Sequence, residues 1–496
     1  MNKKTQLTMK SGNSLVIFKF TFLICFFFIA ACAINPVSGK KEFVLMSEQQ
    51  EIALGAESDP QVIAEYGLYD NQALQDFINT RGQEMVKISH RPNLKFTYRI
   101  VDSPVVNAFA VPGGYVYFTR GIMAYFNNEA EFAGVLGHET GHITARHGVE
   151  QYTKSTIANV LLIGGMVVSK EFAAFANTAQ TALSLLFLKY SRDDESQADQ
   201  LGAEYSTKVD FDAHQMADFF KTLKSLSDDS GGSLPTFLST HPDPSDRYNK
   251  VDKAATEWQA KYPGETFKVN RDKYLKMVDG IVFGDDPRQG FVEAGVFYHP
   301  EFKFQFPIPS NWQLQNSPSQ VQMAPSNGKA LMIFTIAEGN SLQTAATTTA
   351  TNLKLTVTNS RQLTVNGFAA MEVLSTQDTQ DPNTGTTTSI AVKSMYIQYK
   401  QNIYVFHGVS TPGDFQSYAS QFDKTMTGFK ELKDQAKINV KPDRIKVVSV
   451  AKSGTLTQAL QAAGVPADRI KEFAIVNGMS QSDQVSAGTL IKVLGK

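Results

Sequence analysis

His138-Glu139-Thr140-Gly141-His142 is the stretch on which the prediction of the fold rests, and it lies within a helical pattern over residues 128–149. Apolar residues recur there at helical spacing, Asn127 or Asn128 can cap the start, and two glutamates follow in the first turn. Histidines four residues apart project from one face of a helix, close enough for both imidazoles to bind one ion. The pattern therefore predicts a metal site with His138 and His142 as ligands.

Glu139 lies beside the two histidines but one residue out of register with them. Its carboxylate is then free to act as a base on a metal-bound water instead of binding the metal. Gly137 and Gly141 lower the helix propensity, a local cost more expected at a functional site than in a plain surface helix. His147 falls about half a turn away around the predicted helix, so it is not predicted as a ligand.

A third ligand is expected downstream, because a catalytic zinc ion normally has three protein ligands and a water. In residues 191–199, Glu195 and Asp199 are four apart on one face of a second predicted helix. Glu195 can bind the metal, while Asp199 accepts a hydrogen bond from the other ring nitrogen of a ligand histidine. The alternative is a charged, solvated helix start, which suits Asp193 and Asp194.

Length and composition predict a multidomain globular protein. The chain has 496 residues, 42% hydrophobic and 19% charged, which is enough for about three domains. Its formal net charge of −1 gives no bulk attraction to nucleic acid, so no nucleic-acid partner is predicted.

The N-terminus predicts a signal peptide over residues 1–31, since lysines precede an apolar run that is too short for a comfortable membrane span. The run ends in Ile29-Ala30-Ala31-Cys32, which resembles a bacterial lipobox and predicts lipidation of Cys32. An ordinary signal peptide that happens to contain a cysteine is the alternative. Removal of Cys25 with the signal would leave one cysteine and no disulfide. By analogy with enterobacterial lipoproteins, Ala33 favours a lipid anchor in the outer membrane, facing the periplasm of a Gram-negative bacterium.

Secondary-structure signals divide the rest of the chain into three parts with a multidomain α+β architecture. A mainly helical unit with a small β-sheet covers residues 32–285, with residues 47–89 helical and strands over 94–101 and 115–119. A β-rich α+β domain follows over residues 290–432, and its start faintly resembles the PsbP-like fold. Residues 444–496 resemble a small β-α-α-β LysM-like module, for which peptidoglycan binding is the functional inference and a packing role the alternative.

Five motifs occur in order along the first half of the chain. They are Asn35-Pro36-Val37-Ser38-Gly39, Asn107-Ala108-Phe109-Ala110-Val111-Pro112-Gly113-Gly114, His138 to His142, Ser191-Arg192 with Glu195 and Ala198-Asp199, and Ser239-Thr240-His241-Pro242 followed by Arg247. Together they resemble the gluzincin peptidases related to the CAAX prenyl endopeptidase and the HtpX heat-shock protease, particularly their periplasmic lipoprotein members. The resemblance covers about half of the chain and nothing after about residue 285.

This resemblance implies a mainly helical gluzincin peptidase domain that holds one zinc ion. It makes Glu139 the general base and Asp199 the residue that orients a ligand histidine. Gly113 and Gly114 would form a sharp turn beside a strand that pairs with the backbone of an extended polypeptide substrate. The implied zinc ligands are His138, His142 and Glu195, and the implied substrate-binding residues are Asn107, Ala108, Phe109 and Ala110.

Two further residues keep several possible roles. Arg247 can stabilise the tetrahedral oxyanion or a substrate carbonyl, or be structural near a helix start. His241 can be a helix-entry residue at the start of a helix, donate a hydrogen bond in the transition state, or be a fourth zinc ligand that displaces the catalytic water. The last role would give a self-inhibited enzyme. The apolar runs over residues 157–168 and 172–188 are predicted to form a buried helix or an active-site cover with a Gly164-Gly165 hinge, not a membrane span.

The predicted function is a zinc endopeptidase of the bacterial envelope that hydrolyses unfolded or misassembled periplasmic or outer-membrane proteins. One alternative is a periplasmic chaperone or scaffold with a usually closed zinc site, which would bind envelope proteins through its C-terminal domains. The other is a cell-wall hydrolase, suggested by the LysM-like tail. An edge strand that pairs with substrate suits an extended peptide better than a glycan-linked stem.

Overall fold

A computed structural model describes residues 32–43, 46–157, 190–229, 236–241, 247–380 and 387–495. The predicted signal peptide over residues 1–31 and the predicted cover over residues 158–188 lie outside the described residues. No helix in the described ranges is long and apolar enough to cross a membrane.

The first part of the chain is mainly helical and contains a small sheet, as predicted. Its strands are β1 (Cys32–Ile34), β2 (Lys41–Phe43), β3 (Thr97–Val101), β4 (Ala108–Val111) and β5 (Tyr115–Thr119). Its helices are α1 (Glu48–Tyr66), α2 (Gln72–Ile88), α3 (Arg120–Tyr125), α4 (Glu129–Thr144), α5 (His147–Ile157), α6 (Arg192–Lys208), α7 (His214–Asp229), α8 (Thr236–Thr240), α9 (Arg247–Gln259) and α10 (Arg271–Val278). The sheet has the order β3-β5-β4, with β3 parallel and β4 antiparallel to β5. Strand β4 is therefore an edge strand of the described sheet.

The region predicted to be helical over residues 47–89 consists of the two helices α1 and α2, and Gly67 at the end of α1 has a φ of 71°. Another helix prediction was wrong in its extent. The single helix expected over residues 128–149 ends at Thr144, and α5 begins at His147. Arg146 between them has a φ of 63°, and its Nε donates to Oε2 of the buried Glu51 at 3.0 Å. A residue in the left-handed conformation cannot continue an α-helix. The chain therefore turns at Arg146, the residue that contacts Glu51.

The second part of the chain is the predicted β-rich α+β region. Its strands are β6 (Phe291–Glu293), β7 (Val296–His299), β8 (Phe304–Pro307), β9 (Trp312–Asn316), β10 (Gln320–Pro325), β11 (Ala330–Ile336), β12 (Thr356–Val365), β13 (Phe368–Gln380), β14 (Thr387–Tyr399), β15 (Asn402–Ser410) and β16 (Lys430–Glu431). Its helices are α11 (Leu342–Asn352), α12 (Phe415–Thr427) and, after β16, α13 (Gln435–Ile438). Seven strands form an antiparallel sheet in the order β12-β13-β14-β15-β11-β10-β9, and four form a second sheet in the order β16-β8-β7-β6. Aromatic side chains fill the core of this region, with Phe334 4.4 Å from Phe406 and 5.1 Å from Phe304 between ring centroids.

The last part of the chain forms a small unit that shares its core with the first part. It consists of β17 (Arg444–Ser449), β18 (Gly454–Thr455), α14 (Leu456–Ala462), α15 (Ile470–Val476), β19 (Gln484–Val485) and β20 (Leu490–Gly495), with β17 antiparallel to β20. Ile445 exchanges backbone hydrogen bonds with Gly280 and Ile281, and the rings of Phe283 and Phe473 lie 5.4 Å apart. The predicted order of two helices between two paired strands is present, while the likeness to a LysM module stays a prediction.

Lys492 joins this C-terminal unit to the start of α4. Its side chain is fully buried, and its Nζ donates to the backbone carbonyls of Ala124 at 2.8 Å and Phe126 at 3.0 Å. Burial lowers the pKa of Lys492 and raises the pKa of Glu131 in the first turn of α4. The C-terminal unit thus contacts the chain directly before the helix that carries His138 and His142.

We predict that Lys492→Met lowers the free energy of unfolding by about 2 kcal/mol, because two buried carbonyls lose their donor. Urea unfolding of the full chain measures this change. Lys452→Met is the matched control, since Lys452 is exposed in the same unit and its replacement should change stability by less than about 0.5 kcal/mol. Equal stability of the Lys492→Met variant and the parent protein would show that the contact does not hold the unit in place.

Candidate metal centre

Helices α4 and α6 approach closely because glycines occupy their contact. A Cβ atom on Gly137 would lie 3.1 Å from the Cα of Gly202, and one on Gly141 would lie 2.9 Å from the Cβ of Leu201. Any side chain at these positions would push the two helices apart. The glycines of the predicted metal helix therefore allow the acids of α6 to face its histidines.

Four buried side chains converge at this contact, namely those of His138, His142, Glu195 and His241. One potential ligand atom of each lies within 4.8 Å of those of the others. Nε2 of His142 is 3.0 Å from Nε2 of His138 and 3.5 Å from Oε1 of Glu195. The structure brings together the three predicted ligands and adds His241 as a fourth member.

The donor set fits a metal ion. Two imidazoles and one carboxylate, supplied by two helices, are the ligands that divalent transition metals and zinc prefer. Both carboxylate oxygens of Glu139 are buried without a hydrogen-bond partner among the described residues, although buried polar atoms are normally paired. Burial raises the pKa of Glu139 and lowers the pKa of His142, which the neighbouring His138 lowers further. The arrangement can thus hold a cation beside a carboxylate that is ready to accept a proton.

Asp199 and Arg247 support the ligands from behind. Oδ1 of Asp199 lies 3.0 Å from Nδ1 of His138, which is the orienting position expected for this residue. Arg247 donates to Asp199 from Nε at 2.9 Å and from Nη2 at 2.5 Å, and its Nη1 lies 3.1 Å from Oε2 of Glu195. Burial alone would raise the pKa of Asp199, but Arg247 and His138 lower it to about 2. The described contacts place Arg247 on the two acids of α6, and its role toward an oxyanion stays a prediction.

His241 follows α8 and lies over the centre. Its Nδ1 is 2.9 Å from Oε1 of Glu195 and 3.3 Å from Nε2 of His138, and its Nε2 is 3.6 Å from Oε1 of Glu139. The ring stacks on Phe237 with 4.6 Å between centroids. His241 is therefore placed between the ligands and the candidate base.

The predicted substrate strand lies next to the centre as β4. Thr119 donates to the carbonyl of Asn107, and Phe109 stands opposite Tyr117, so these odd-numbered residues direct their backbone groups to β5. By alternation, Ala108 and Ala110 direct theirs to the other side, the open side of β4, which no described strand pairs with. Both residues are nevertheless buried, at 0% and 6% exposed. Asn107 and Phe109 were predicted to bind substrate as well, but their backbone groups point into the sheet.

Two segments of the centre contact the open side of β4. The backbone N–H of Phe237 donates to the carbonyl of Val106 at 3.1 Å. The hydroxyl of Tyr190 lies 3.5 Å from the carbonyl of Ala110, and its ring stacks on His142 with 3.9 Å between centroids. The segments that contain Phe237 and Tyr190 therefore contact both the edge strand and the metal centre.

Sequence reasoning missed three residues around His142, namely Tyr190, His147 and Gln197. Nδ1 of His147 lies 3.0 Å from Nδ1 of His142, and Nε2 of His147 lies 2.8 Å from Oε1 of Gln197. His147 is not a member of the group of potential ligands. Its predicted position half a turn around the metal helix was wrong, because His147 begins α5. Position next to a motif was the only available signal, since Tyr190 directly precedes the motif that begins at Ser191.

A helical domain with a small sheet, whose two facing helices carry this buried His, His and Glu group, defines a metallopeptidase domain. Residues 72–255 match the model of peptidase family M48. The metallopeptidase prediction is thereby confirmed, while the CAAX and HtpX subtype stays a prediction.

The chain is similar to metallopeptidases of mitochondria and bacteria. It is 27% identical over 232 residues to mitochondrial metalloendopeptidase OMA1 of Schizosaccharomyces pombe, covering 46% of this chain and 67% of that protein. It is 30% identical over 188 residues to the putative beta-barrel assembly-enhancing protease of Vibrio cholerae, covering 36% and 38%. It is 26% identical over 222 residues to the beta-barrel assembly-enhancing protease of Escherichia coli, covering 43% and 45%. The chain thus spans less than half the length of these two bacterial relatives.

Among solved structures, cyanobacterial PsbP from Synechocystis covers 28% of the chain at 12% identity with a TM-score of 0.22. A TM-score this low carries no argument. The PsbP-like character of the β-rich region therefore stays a prediction.

We predict that Asp199→Asn lowers the affinity for zinc about 10- to 100-fold, because a neutral amide neither orients His138 as firmly nor balances Arg247. Competition with a chromophoric chelator on the purified protein measures this affinity. Asp193→Asn is the control, since Asp193 is exposed on the same helix and its replacement should leave the affinity unchanged. Unaltered zinc binding by the Asp199→Asn variant would mean that Asp199 does not support the metal ligands.

Proposed function

We propose that the protein is a zinc-dependent endopeptidase. The observation that carries this proposal is the buried group of His138, His142 and Glu195 with the unpaired carboxylate of Glu139 beside it. Two histidines and one glutamate are a known ligand set of catalytic zinc, and they leave one position for a water. The match of residues 72–255 to a peptidase family supports the same conclusion.

The chain's own residues supply the proton transfers of peptide hydrolysis. When bound, zinc lowers the pKa of its water and polarises the scissile carbonyl. Glu139 takes the proton of that water and delivers it to the departing amine, because both of its carboxylate oxygens lie buried beside the ligands without another partner among the described residues. Oδ1 of Asp199 lies 3.0 Å from Nδ1 of His138, which favours a proton on this nitrogen and leaves Nε2 for the centre.

The open side of β4 supports an extended polypeptide as substrate. Ala108 and Ala110 direct their backbone groups away from β5, beside the centre. Once the groups that bury this edge move aside, an added strand can pair with it through main-chain hydrogen bonds. Main-chain pairing requires an unfolded segment but little particular sequence. We therefore propose unfolded or misassembled polypeptides as the substrates.

The N-terminal sequence and the names of the bacterial relatives support a place in the cell envelope. Cys32 ends a lipobox-like stretch, and the relatives from Vibrio cholerae and Escherichia coli are named beta-barrel assembly-enhancing proteases. We place the protein in the periplasm of a Gram-negative bacterium, anchored to the outer membrane through lipidated Cys32, in protein quality control. No contact among the described residues favours a chaperone or scaffold role or cell-wall hydrolysis, and glycan binding by the C-terminal unit stays a prediction.

We predict that Glu139→Gln reduces cleavage of an unfolded substrate by at least about 100-fold, because the amide cannot accept the proton of the attacking water. Zinc content should stay unchanged, because Glu139 is not a member of the ligand group. Cleavage of denatured casein and the metal content of the same samples are the two measurements. Glu57→Gln, an exposed glutamate of α1, is the control. Full activity of the Glu139→Gln variant would refute the proposed base.

The position of His241 supports a closed resting state of this enzyme. Its Nδ1 approaches both Glu195 and His138, and its Nε2 faces Glu139. A histidine in this place competes with the catalytic water for the remaining metal position. His241 directly follows α8, and residues 242–246 lie outside the described residues, so the helix-entry alternative stays a prediction.

We predict that His241→Ala increases cleavage of an unfolded substrate about tenfold, as expected if the closed state holds about 90% of the molecules. Zinc content should be retained, because the other three ligands remain. His214→Ala is the control, since His214 on α7 pairs with Asp252 on α9, outside the ligand group. Unchanged or reduced proteolysis with intact zinc would count against a blocking role and favour a hydrogen-bond donor in the transition state.

A further inference from the structure

A chain of three side chains runs from the metal centre to α6. Nδ1 of His142 lies 3.0 Å from Nδ1 of His147, and Nε2 of His147 lies 2.8 Å from Oε1 of Gln197. Both histidines are at most 2% exposed. Each of these two short contacts requires one proton. One proton lies between His142 and His147, and the other lies between His147 and Gln197.

The metal centre allows only one arrangement of these protons. Nε2 of His142 faces Nε2 of His138, so it must carry a lone pair to bind a cation, and the ring proton must lie on Nδ1. His147 must then accept that proton through Nδ1 and carry its own on Nε2, where Oε1 of Gln197 accepts it. The reverse arrangement would put a proton on Nε2 of His142 and prevent it from binding a metal.

We propose that His147 is a positioning residue of the metal centre, which with Gln197 fixes His142 in the tautomer that can bind the metal. This inference rests on the proposed zinc site. His138 obtains the same support from the ionised carboxylate of Asp199, whereas His142 obtains it from a neutral imidazole and a neutral amide. The two ligand histidines are therefore supported by groups of different charge.

The surroundings of His147 hold it in this role. The carboxylate of Asp194 lies 3.9 Å from Nε2 of His147, beyond hydrogen-bond distance, and accepts instead from Gln151 at 2.7 Å and from the backbone N–H of Ser191 at 2.8 Å. Gln197 is thus the nearer acceptor. Arg146, in its left-handed conformation, also donates to the carbonyl of Met46 at 3.0 Å. Such a conformation is uncommon for a residue other than glycine, and here it turns the chain so that His147 faces His142.

The test compares two replacements of His147 that differ in one acceptor. In His147→Asn, the side-chain oxygen can take the place of Nδ1 and accept from His142, whereas His147→Leu offers no acceptor. We expect zinc affinity to fall about 10- to 100-fold in His147→Leu and to be largely restored in His147→Asn. Competition with a chromophoric chelator measures both affinities, and urea unfolding of the metal-free proteins shows whether each variant is folded.

A second readout follows the protons directly. In metal-free protein labelled with ¹⁵N-histidine, the parent should show His142 protonated at Nδ1, and His147→Leu should shift the population toward the Nε2 tautomer. Gln197→Leu, which keeps both histidines and removes the last acceptor, should shift it in the same direction and weaken zinc binding, and it replaces His147→Leu if that variant does not fold.

Each remaining outcome overturns the inference. Unchanged zinc affinity in His147→Leu, failure of His147→Asn to restore binding, or an Nε2-protonated His142 in the parent protein would each do so. A parent protein that binds no zinc would instead refute the proposed function, so the two failures are distinguishable.

Discussion

The metal centre depends on the balance of charge in a space closed to water. Glu139, Glu195 and Asp199 are all at most 4% exposed, and the guanidinium of Arg247 contacts Glu195 and Asp199. With the three carboxylates ionised, the group carries a formal charge of −2, which one divalent cation would neutralise. Buried charges are tolerated when they are paired or coordinate a metal. The same requirement explains why Arg247 lies behind the ligands and joins the two acids of α6.

The helix α4 that carries the motif is fixed at both ends by contacts from distant parts of the chain. At its start, Glu129 accepts from Arg81 at 2.6 Å and from Asn270 at 2.6 Å, and Lys492 binds the carbonyls of the preceding residues. At its end, Arg146 is bound to Glu51. Because catalytic groups must be held to within fractions of an ångström, these contacts explain why the C-terminal unit packs on the peptidase segment.

The sequence predicted the parts of the site that follow from helical spacing. His138 and His142, and likewise Glu195 and Asp199, are four residues apart, so one helix fixes their relative positions, and their types fix their chemistry. The corner at Arg146 was not predictable, because it involves Glu51, 95 residues earlier in the chain. The burial of Lys492 was missed for the same reason, since its partners lie more than 360 residues away. Long-range contacts leave no periodic trace in a sequence.

The contacts around β4 relate substrate binding to the position of His241. Phe237, whose ring stacks on His241, donates its backbone N–H to Val106, on the side of the strand where Ala108 and Ala110 also direct their backbone groups. A polypeptide that paired along this whole side would also donate a hydrogen bond to the carbonyl of Val106. Such a polypeptide and α8 therefore compete for one hydrogen-bond acceptor. Displacing the N–H of Phe237 would remove a contact that holds His241 over the centre, so pairing of substrate with the edge and opening of the centre are physically linked.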